Sequence, residues 1–339
     1  MPLNIFAIET SCDETSASIL SDFKVLSNIV SSQLFHKDYG GIVPELASRA
    51  HIKIITQIVS EAFERSGKNK NDIQLAAATQ GPGLIGSLLV GYNYAKAFAI
   101  ANNVPFIGIN HIEAHLFSCF IGRSEIEFPF IALVVSGGHT ILFLVNDYND
   151  YKILGQTHDD AAGEAFDKGA KMLGLEYPGG QMIDELAKTG DENFHKFPSP
   201  HLKENLYDFS FSGIKTSLLY YLRKYFNSEN KIPVNDIAAS YQKAIINSLL
   251  QKTLTAAENF KVSKIAISGG VSANSKLRKE FLNLKNSGYE VFFPEKQYST
   301  DNAAMIGYTA YLKYLKPVKD KLYSSISEPA FARFDYEKI

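Results

Sequence analysis

One pattern occurs twice in this chain and constrains its fold more than any other feature. It is an apolar run of strand length, a tight polar turn, and a second run of strand length. The first copy is Ile5-Phe6-Ala7-Ile8, the turn from Glu9 to Thr15, and Ser16-Ala17-Ser18-Ile19-Leu20. The second is Phe130-Ile131-Ala132-Leu133-Val134-Val135, the turn Ser136-Gly137-Gly138-His139, and Thr140-Ile141-Leu142-Phe143-Leu144-Val145. Each reads as strand, turn, strand. Such turns crowd backbone N–H groups together, and glycine permits the positive φ they need. One hairpin of this kind is ordinary. Two, each opening about half of a 339-residue chain, indicate a duplicated α/β domain.

After both hairpins, helical and strand patterns alternate. In the first half, apolar residues recur at helical spacing over 52–66, and 75–79 is a short apolar strand running into Gly81-Pro82-Gly83. A buried helix over 84–101 and a strand over 106–109 follow. In the second half, 234–260 is a long helix, 264–268 a strand ending in Gly269-Gly270, 274–286 a helix and 290–293 a strand. This alternation predicts α/β layers whose strands are buried on both faces. The expected division is a first lobe over 1–127, a second over 128–300, and a C-terminal helix over 301–325 packing back on the first. A stretch rich in Pro, His, Phe and polar residues near 191–212 reads as an irregular insertion on the second lobe.

Composition narrows the function classes. Hydrophobic residues make up 45% and charged residues 21%, enough to build a sizeable core. The formal net charge is -2, so any contact with a nucleic acid must use a local patch. The two cysteines, Cys12 and Cys119, form no CxxC pair, which fits a reducing cytoplasm. The chain starts without a basic stretch followed by a sustained apolar one, and has no run of about 18 apolar residues. Neither a signal peptide nor a membrane span is expected.

The residues that carry chemistry form several groups. Asn110-His111-Ile112-Glu113-Ala114-His115 sets two histidines at i and i+4. On a helix both imidazoles share one face and can reach one metal ion. Glu113 lies two residues from each, pointing away from that face and badly placed as a metalloprotease base. The pattern is neither HExxH nor HxxEH. A mononuclear site needs a third ligand, normally a carboxylate. Asp301, in Ser299-Thr300-Asp301-Asn302-Ala303, is the best candidate, but it stands at an apparent helix start where an N-cap is common. Spacing alone does not choose between the two roles.

Two Ser-Gly-Gly loops come next. Ser136-Gly137-Gly138-His139 joins two strands, and Ser268-Gly269-Gly270-Val271-Ser272-Ala273-Asn274 joins a strand to a helix. Backbone amides at such turns suit phosphate oxygens. Neither loop has the P-loop or Rossmann spacing. The two loops are expected to face one another across an interlobe cleft. The acidic run Asp159-Asp160-Ala161-Ala162-Gly163-Glu164-Ala165-Phe166-Asp167 is either a solvated helix start favoured by the helix dipole or, through Asp167, a grip on ribose hydroxyls. Phe209-Ser210-Phe211-Ser212-Gly213-Ile214-Lys215 is either a stacking surface for a polynucleotide or a core aromatic pair.

Taken in order, these motifs resemble one family. Glu9-Thr10-Ser11-Cys12-Asp13-Glu14-Thr15, Gly81-Pro82-Gly83-Leu84, His111 with His115, and Val135-Ser136-Gly137-Gly138-His139-Thr140 recur in it. So do Phe166-Asp167-Lys168, Tyr177-Pro178-Gly179-Gly180, Gly269-Gly270-Val271-Ser272-Ala273-Asn274 and Thr300-Asp301-Asn302-Ala303. The chain resembles the bacterial tRNA N6-adenosine threonylcarbamoyltransferase (TsaD) family from about residue 4 to about 315.

The resemblance implies a duplicated actin/Hsp70-like (ASKHA) α/β fold with two lobes and an interlobe cleft. It implies transfer of threonylcarbamoyl from threonylcarbamoyl-AMP to N6 of adenine 37 in tRNAs that read codons starting with A. It makes His111, His115 and Asp301 the ligands of one divalent metal ion, iron by preference with zinc as the other candidate. Val134, Val135, Ser136, Gly137, Gly138, Asp167, Gly180, Asp184 and Asn274 match the positions that bind the adenylate. It also implies a catalytically inactive paralogous subunit (TsaB-like) and a small ATPase (TsaE-like) as partners.

The expected chemistry is acyl transfer from a mixed carbamic–phosphoric anhydride with AMP as leaving group, so no nucleophilic side chain is required. Exocyclic adenine nitrogen is a poor nucleophile that needs positioning more than deprotonation. Asp13 and Glu14 are the first candidates for a base or orienting group and His139 the second, with an Asx-turn as the alternative role of Asp13. Three rivals remain: an ATPase or sugar-kinase-like enzyme of the same fold, for which the histidine pair is superfluous; a metallopeptidase, against which the histidine geometry weighs; and a nucleotide-switched scaffold.

Overall fold

Nineteen helices and strands, counted among the described residues, build two units of the same topology. The structure, a computed structural model, describes residues 2–198, 205–225, 232–316 and 326–333. Unit one comprises 1–127, 147–150 and 294–339; unit two comprises 128–146 and 151–293. Residues 294–300, assigned from sequence to the second lobe, belong to the first unit.

In unit one, β1 (Asn4–Glu9) is buried along its whole length. It pairs antiparallel with β2 (Glu14–Ser21), which pairs antiparallel with β3 (Lys24–Ser32). On its other side β1 runs parallel to β4 (Leu75–Gly81), and β4 parallel to β5 (Phe106–Asn110). The sheet order is β3-β2-β1-β4-β5. Helix α1 (Pro44–Ser66) starts on a proline and stops at Gly67, whose φ of 65° is the left-handed geometry of a helix C-terminus. With α2 (Ile85–Asn102) it covers one face of the sheet around Phe6, Ile8, Ile55, Tyr92 and Phe106. The short helix α3 (His111–Phe117) follows β5 directly. The last helix among the described residues, α9 (Ala303–Leu315), packs on β1 and β2. Gly307 permits this, because a Cβ there would sit 2.2 Å from Leu20 and 3.2 Å from Ala7. The rest of the helix expected over 301–325 lies outside the described residues, apart from Lys316.

Unit two repeats the plan. Strand β6 (Phe130–Val135) pairs antiparallel with β7 (Thr140–Asp147), whose neighbour is β8 (Asp150–Gln156). On its other side β6 runs parallel to β9 (Lys264–Ser268), and β9 parallel to β10 (Glu290–Phe292). The order β8-β7-β6-β9-β10 is that of unit one, element for element. Five helices complete the unit: α4 (Ala162–Met172), α5 (Gly179–Ala187), α6 (Ser212–Tyr225), α7 (Val234–Phe260) and α8 (Ser275–Asn283). Their apolar faces join Leu133, Phe166, Phe209, Phe211 and Tyr241 in one core. The described part of 191–211 is irregular; a bridge between Thr157 and Phe209 and the Asp208 and Asn205 side chains tie it to the end of β8.

Candidate functional site

In unit one the histidine pair stands where a strand becomes a helix. Asn110 ends β5, and its side chain accepts from the N–H groups of Ile112 and Glu113, which caps α3. That turn starts at His111, so His111 and His115 fall one helical turn apart on one face, their rings 4.7 Å apart and nearly perpendicular. Both are buried. Asp301 reaches them from the segment before α9. Its Oδ1 lies 3.0 Å from His115 Nε2 and 3.6 Å from His111 Nε2. Asp301 is not the N-cap: Asn302 takes that role, accepting from the Met305 N–H at 3.1 Å, which leaves the Asp301 carboxylate to the histidines.

The donor set fits a divalent transition metal. All three ligand atoms lie within 4.8 Å of one another. Ligands around a tetrahedral ion with bonds of about 2.0–2.1 Å are separated by about 3.3 Å, between the two distances seen here. Two imidazoles and one carboxylate suit iron or zinc and do not separate them. Burial lowers the basicity of His111, but the negative charge of Asp301 and Glu9 outweighs it and pushes its pKa up to about 9. The acidic surroundings of His111 thus favour a positive charge in the pocket.

Glu9, quoted from the sequence only as part of a motif, joins this cluster. It is fully buried, and its Oε2 lies 3.1 Å from His111 Nδ1. No local signal marks it, because the contact spans 102 positions. Glu113 does point away from the histidine face, as its spacing predicts. It forms a buried ion pair with Lys313 at 2.8 Å, tying α3 to α9. The elements carrying the three candidate ligands are thus joined by a second contact besides the ligands themselves.

Asp13 and Glu14 lie in the turn after β1, which is held at several points. Thr10 Oγ1 donates to the Ser87 carbonyl on α2, and Leu84 N–H donates to the Ser11 carbonyl. Thr15 meets His51 Nδ1 at 2.7 Å, while His51 Nε2 donates to the Cys12 carbonyl at 2.9 Å. Burial lowers the His51 pKa, keeping the ring neutral for this double role. Glu14 lies within electrostatic range of Asp301. Burial, then the charges of Asp301 and Asp13, raise the Glu14 pKa well above the carboxylate range, and Glu14 shares a hydrogen bond with Asp13. Cys12 is pushed up in the same way, by burial and then by Asp13, Asp301 and Glu14, so its thiol is no nucleophile.

The remaining expected site residues all lie in unit two. Ser136 N–H donates to the His139 carbonyl and Ser136 Oγ accepts from the His139 N–H, closing a turn whose Gly137 and Gly138 are exposed with open space above them. Val134 and Val135 are the buried strand beneath it. Helix α4 begins against this turn: a Cβ on Gly163 would be 2.6 Å from the Ser136 carbonyl oxygen. Asp167, on α4, accepts from the N–H groups of Gly179 and Gly180 through Oδ1. Its other oxygen makes no hydrogen bond among the described residues. Burial raises its pKa against the pull of those two N–H groups. Asp184 takes both bonds from Ser275, at 2.9 and 2.8 Å. Asn274 caps α8 through Leu277 N–H and donates to Gln242. These two side chains are committed to building the loop before α8.

Three expectations need correction. The Ser136 and Ser268 loops do not face one another across an interlobe cleft: both belong to unit two. They close neighbouring parallel strands of one sheet, with Gly269 (φ 86°) so near that a Cβ would sit 2.4 Å from the Val135 carbonyl oxygen. Asp159 and Asp160 are not a solvated start of α4, which is capped at Ala161 with help from Glu164. Asp159 instead accepts from Ser210, Ser212 and the Phe211 and Ser212 N–H groups at the head of α6, and Asp160 pairs with Lys168 and Lys215. Phe209 and Phe211 are no stacking surface: both are fully buried, rings stacked at 6.2 Å in the core.

Two mixed five-stranded sheets of identical order, each with helices against it, define an actin/Hsp70-like (ASKHA) α/β protein, here with a His/His/Asp cluster in one unit. Solved structures share the fold: full-length HypF in its phosphate- and nucleotide-bound form matches with a TM-score of 0.64 at 14% identity, over 95% of this chain and 56% of that one. Component A of (R)-2-hydroxyglutaryl-CoA dehydratase from Acidaminococcus fermentans matches with 0.54 at 14% identity, over 93% and 100%. The model of the tRNA N6-adenosine threonylcarbamoyltransferase family matches residues 24–308. A protein of that description from Phocaeicola vulgatus is 46% identical over 338 residues, 97% of this chain and 98% of the relative. The chain belongs to the tRNA N6-adenosine threonylcarbamoyltransferase family. No described helix is long and apolar enough to cross a membrane.

Proposed function

We propose that the protein transfers the threonylcarbamoyl group of threonylcarbamoyl-AMP to N6 of adenine 37 in tRNAs that read codons starting with A, releasing AMP. The observation that carries this reading is family membership across nearly the whole chain. The site agrees chemically. In unit two, the open Gly137-Gly138 turn suits a phosphate oxygen, and the uncommitted oxygen of Asp167 suits a ribose hydroxyl. In unit one, His111, His115 and Asp301 would hold one divalent ion, iron or zinc. Such an ion supplies positive charge where phosphate or carbonyl oxygens become more negative. Asp13 and Glu14, which share a hydrogen bond, are the first candidates to orient the incoming amine. His139 is the second candidate for that task. The reaction belongs in the cytoplasm, alongside a TsaB-like paralogue and a TsaE-like ATPase; two cysteines with no disulfide between them are compatible with that setting.

The test is mass spectrometry of nucleosides from unmodified tRNA incubated with the protein and threonylcarbamoyl-AMP, with and without the two partners and with metal-free or metal-loaded protein. Threonylcarbamoyladenosine at position 37 and stoichiometric AMP are expected. Net ATP turnover without tRNA and no modified nucleoside under any condition would favour the kinase-like rival.

A further inference from the structure

We propose that Glu9 is a positioning residue that fixes which ring nitrogen of His111 is offered to a metal ion. The proposal rests on the metal-site reading above and concerns a residue outside the three ligands.

Glu9 is the last residue of β1, fully buried, and its carboxylate meets three donors from three elements. Oε1 accepts from the Ser11 N–H of the following turn. Oε2 accepts from Thr79 Oγ1 on β4 and faces His111 Nδ1 at 3.1 Å. A carboxylate with these neighbours can only accept, so the proton of His111 sits on Nδ1. When an ion binds, Nε2, the nitrogen on the Asp301 side, is the one that gives up its proton and offers its lone pair. Metal-ligating histidines are commonly oriented by a carboxylate on the other nitrogen, which fixes the tautomer and the ring plane. His115 has no such partner: its Nδ1 is buried with no hydrogen bond among the described residues. One imidazole is thus locked and the other is not, which puts the orienting burden on Glu9.

The isosteric variant Glu9→Gln separates charge and proton pattern from packing. If the glutamine carbonyl turns to Ser11 N–H, its amide donates to His111 Nδ1 and places the histidine proton on Nε2, blocking the ligand lone pair. If the carbonyl turns to His111, the amide opposes the Ser11 N–H, donor against donor. Either way the ligand geometry loses support.

The experiment measures zinc affinity by competition with a chromophoric chelator, and the histidine ring nitrogens by NMR on 15N-histidine-labelled protein loaded with zinc. Wild type should show His111 with a slowly exchanging Nδ1 proton and zinc on Nε2. E9Q should bind zinc on the order of 10–100-fold more weakly, with that proton lost or shifted, while AMP affinity stays at the wild-type value. Equal zinc affinity and an unchanged Nδ1 proton in E9Q would overturn the proposal and leave the metal site standing. Should E9Q fail to fold by circular dichroism, the wild-type spectrum decides alone: zinc on Nδ1 of His111, or no proton there, overturns it. A wild-type protein that binds neither zinc nor iron would sink the metal-site reading itself.

Discussion

The two units share a strand order yet end their central strands in opposite kinds of chemistry. In unit one, the parallel strands β1, β4 and β5 run out into side chains: Glu9, Thr79 and, one residue past β5, His111. In unit two, the equivalent strands β6 and β9 run out into Ser-Gly-Gly turns that offer backbone. Open α/β sheets bind ligands outside the carboxyl ends of their parallel strands. One topology therefore yields two equivalent positions. Carboxylates and imidazoles turn the first toward cations, and bare amides turn the second toward anions. The duplication supplies a scaffold; the residues at the strand ends decide the work.

The sharpest way to break this comparison is His115→Ala. It removes one expected ligand in unit one and changes no residue of unit two. Transfer to tRNA should fall on the order of 10²–10³ or more, the usual loss when one preorganised electrostatic group is removed. AMP affinity, measured by calorimetry, should fall modestly. A variant that loses its metal yet modifies tRNA at the normal rate would assign the ion a structural role and pass the burden to Asp13 and Glu14.

The reciprocal change is Gly269→Ala. A left-handed φ of 86° and a Cβ 2.4 Å from the Val135 carbonyl oxygen leave no unstrained solution. The expected cost is about 1–2 kcal/mol of stability, with weakened AMP binding and unchanged zinc binding. Loss of zinc affinity here would mean that the two sites are not energetically separable.

The smallest effect concerns acid. Burial pulls the Asp160 pKa up, but the ammonium groups of Lys168 and Lys215 outweigh it and hold it below the ordinary carboxylate value. A depressed folded value means that the stabilisation is complete above the unfolded pKa, near 4. It is lost as pH falls through the folded value. Thermal melts between pH 6 and pH 3 should show a shallower acid decline for Asp160→Asn than for wild type, from a lower starting Tm. Parallel declines would show that the lysine pairs add nothing to pH sensitivity.

The elements read most easily from the sequence are those whose burial is symmetric. Strands β1, β4, β6 and β9 are buried along most of their length and appear as short apolar runs, while α7 is long enough for its period to be unmistakable. The outer strands β3 and β8 were not anticipated. They mix exposed and buried positions and carry Ser27, Asn28 and Lys152 among their apolar residues, so alternation is diluted. Local spacing suffices for His111 and His115, because one helix carries both. It cannot select Asp301, which stands 186 positions from His115, nor Glu9. Family resemblance singled out Asp301 but gave Glu9 no role. The acids at 159–160 misled because helix starts favour acids in general, whereas here Asp159 serves the head of α6, some 50 residues onward, and Asp160 joins a lysine of α4 to one of α6.

Unit one is also interrupted in the chain. Nearly all of unit two, 128–293, is made between α3 and α9. During synthesis, β1 to α3 leave the ribosome with the face of β1 and β2 that α9 will cover still bare. Lys313, which will pair with the buried Glu113, follows some 200 residues later. Unit two, by contrast, is nearly continuous and needs nothing from the last 46 residues for its sheet. The histidines consequently wait through the making of an entire second unit before Asp301 arrives. A nascent chain cut short between residues 293 and 301 has a glycine-loop unit and no complete ligand set, and any shorter one also lacks Asp301, so premature termination cannot leave behind a fragment able to hold the ion through all three residues.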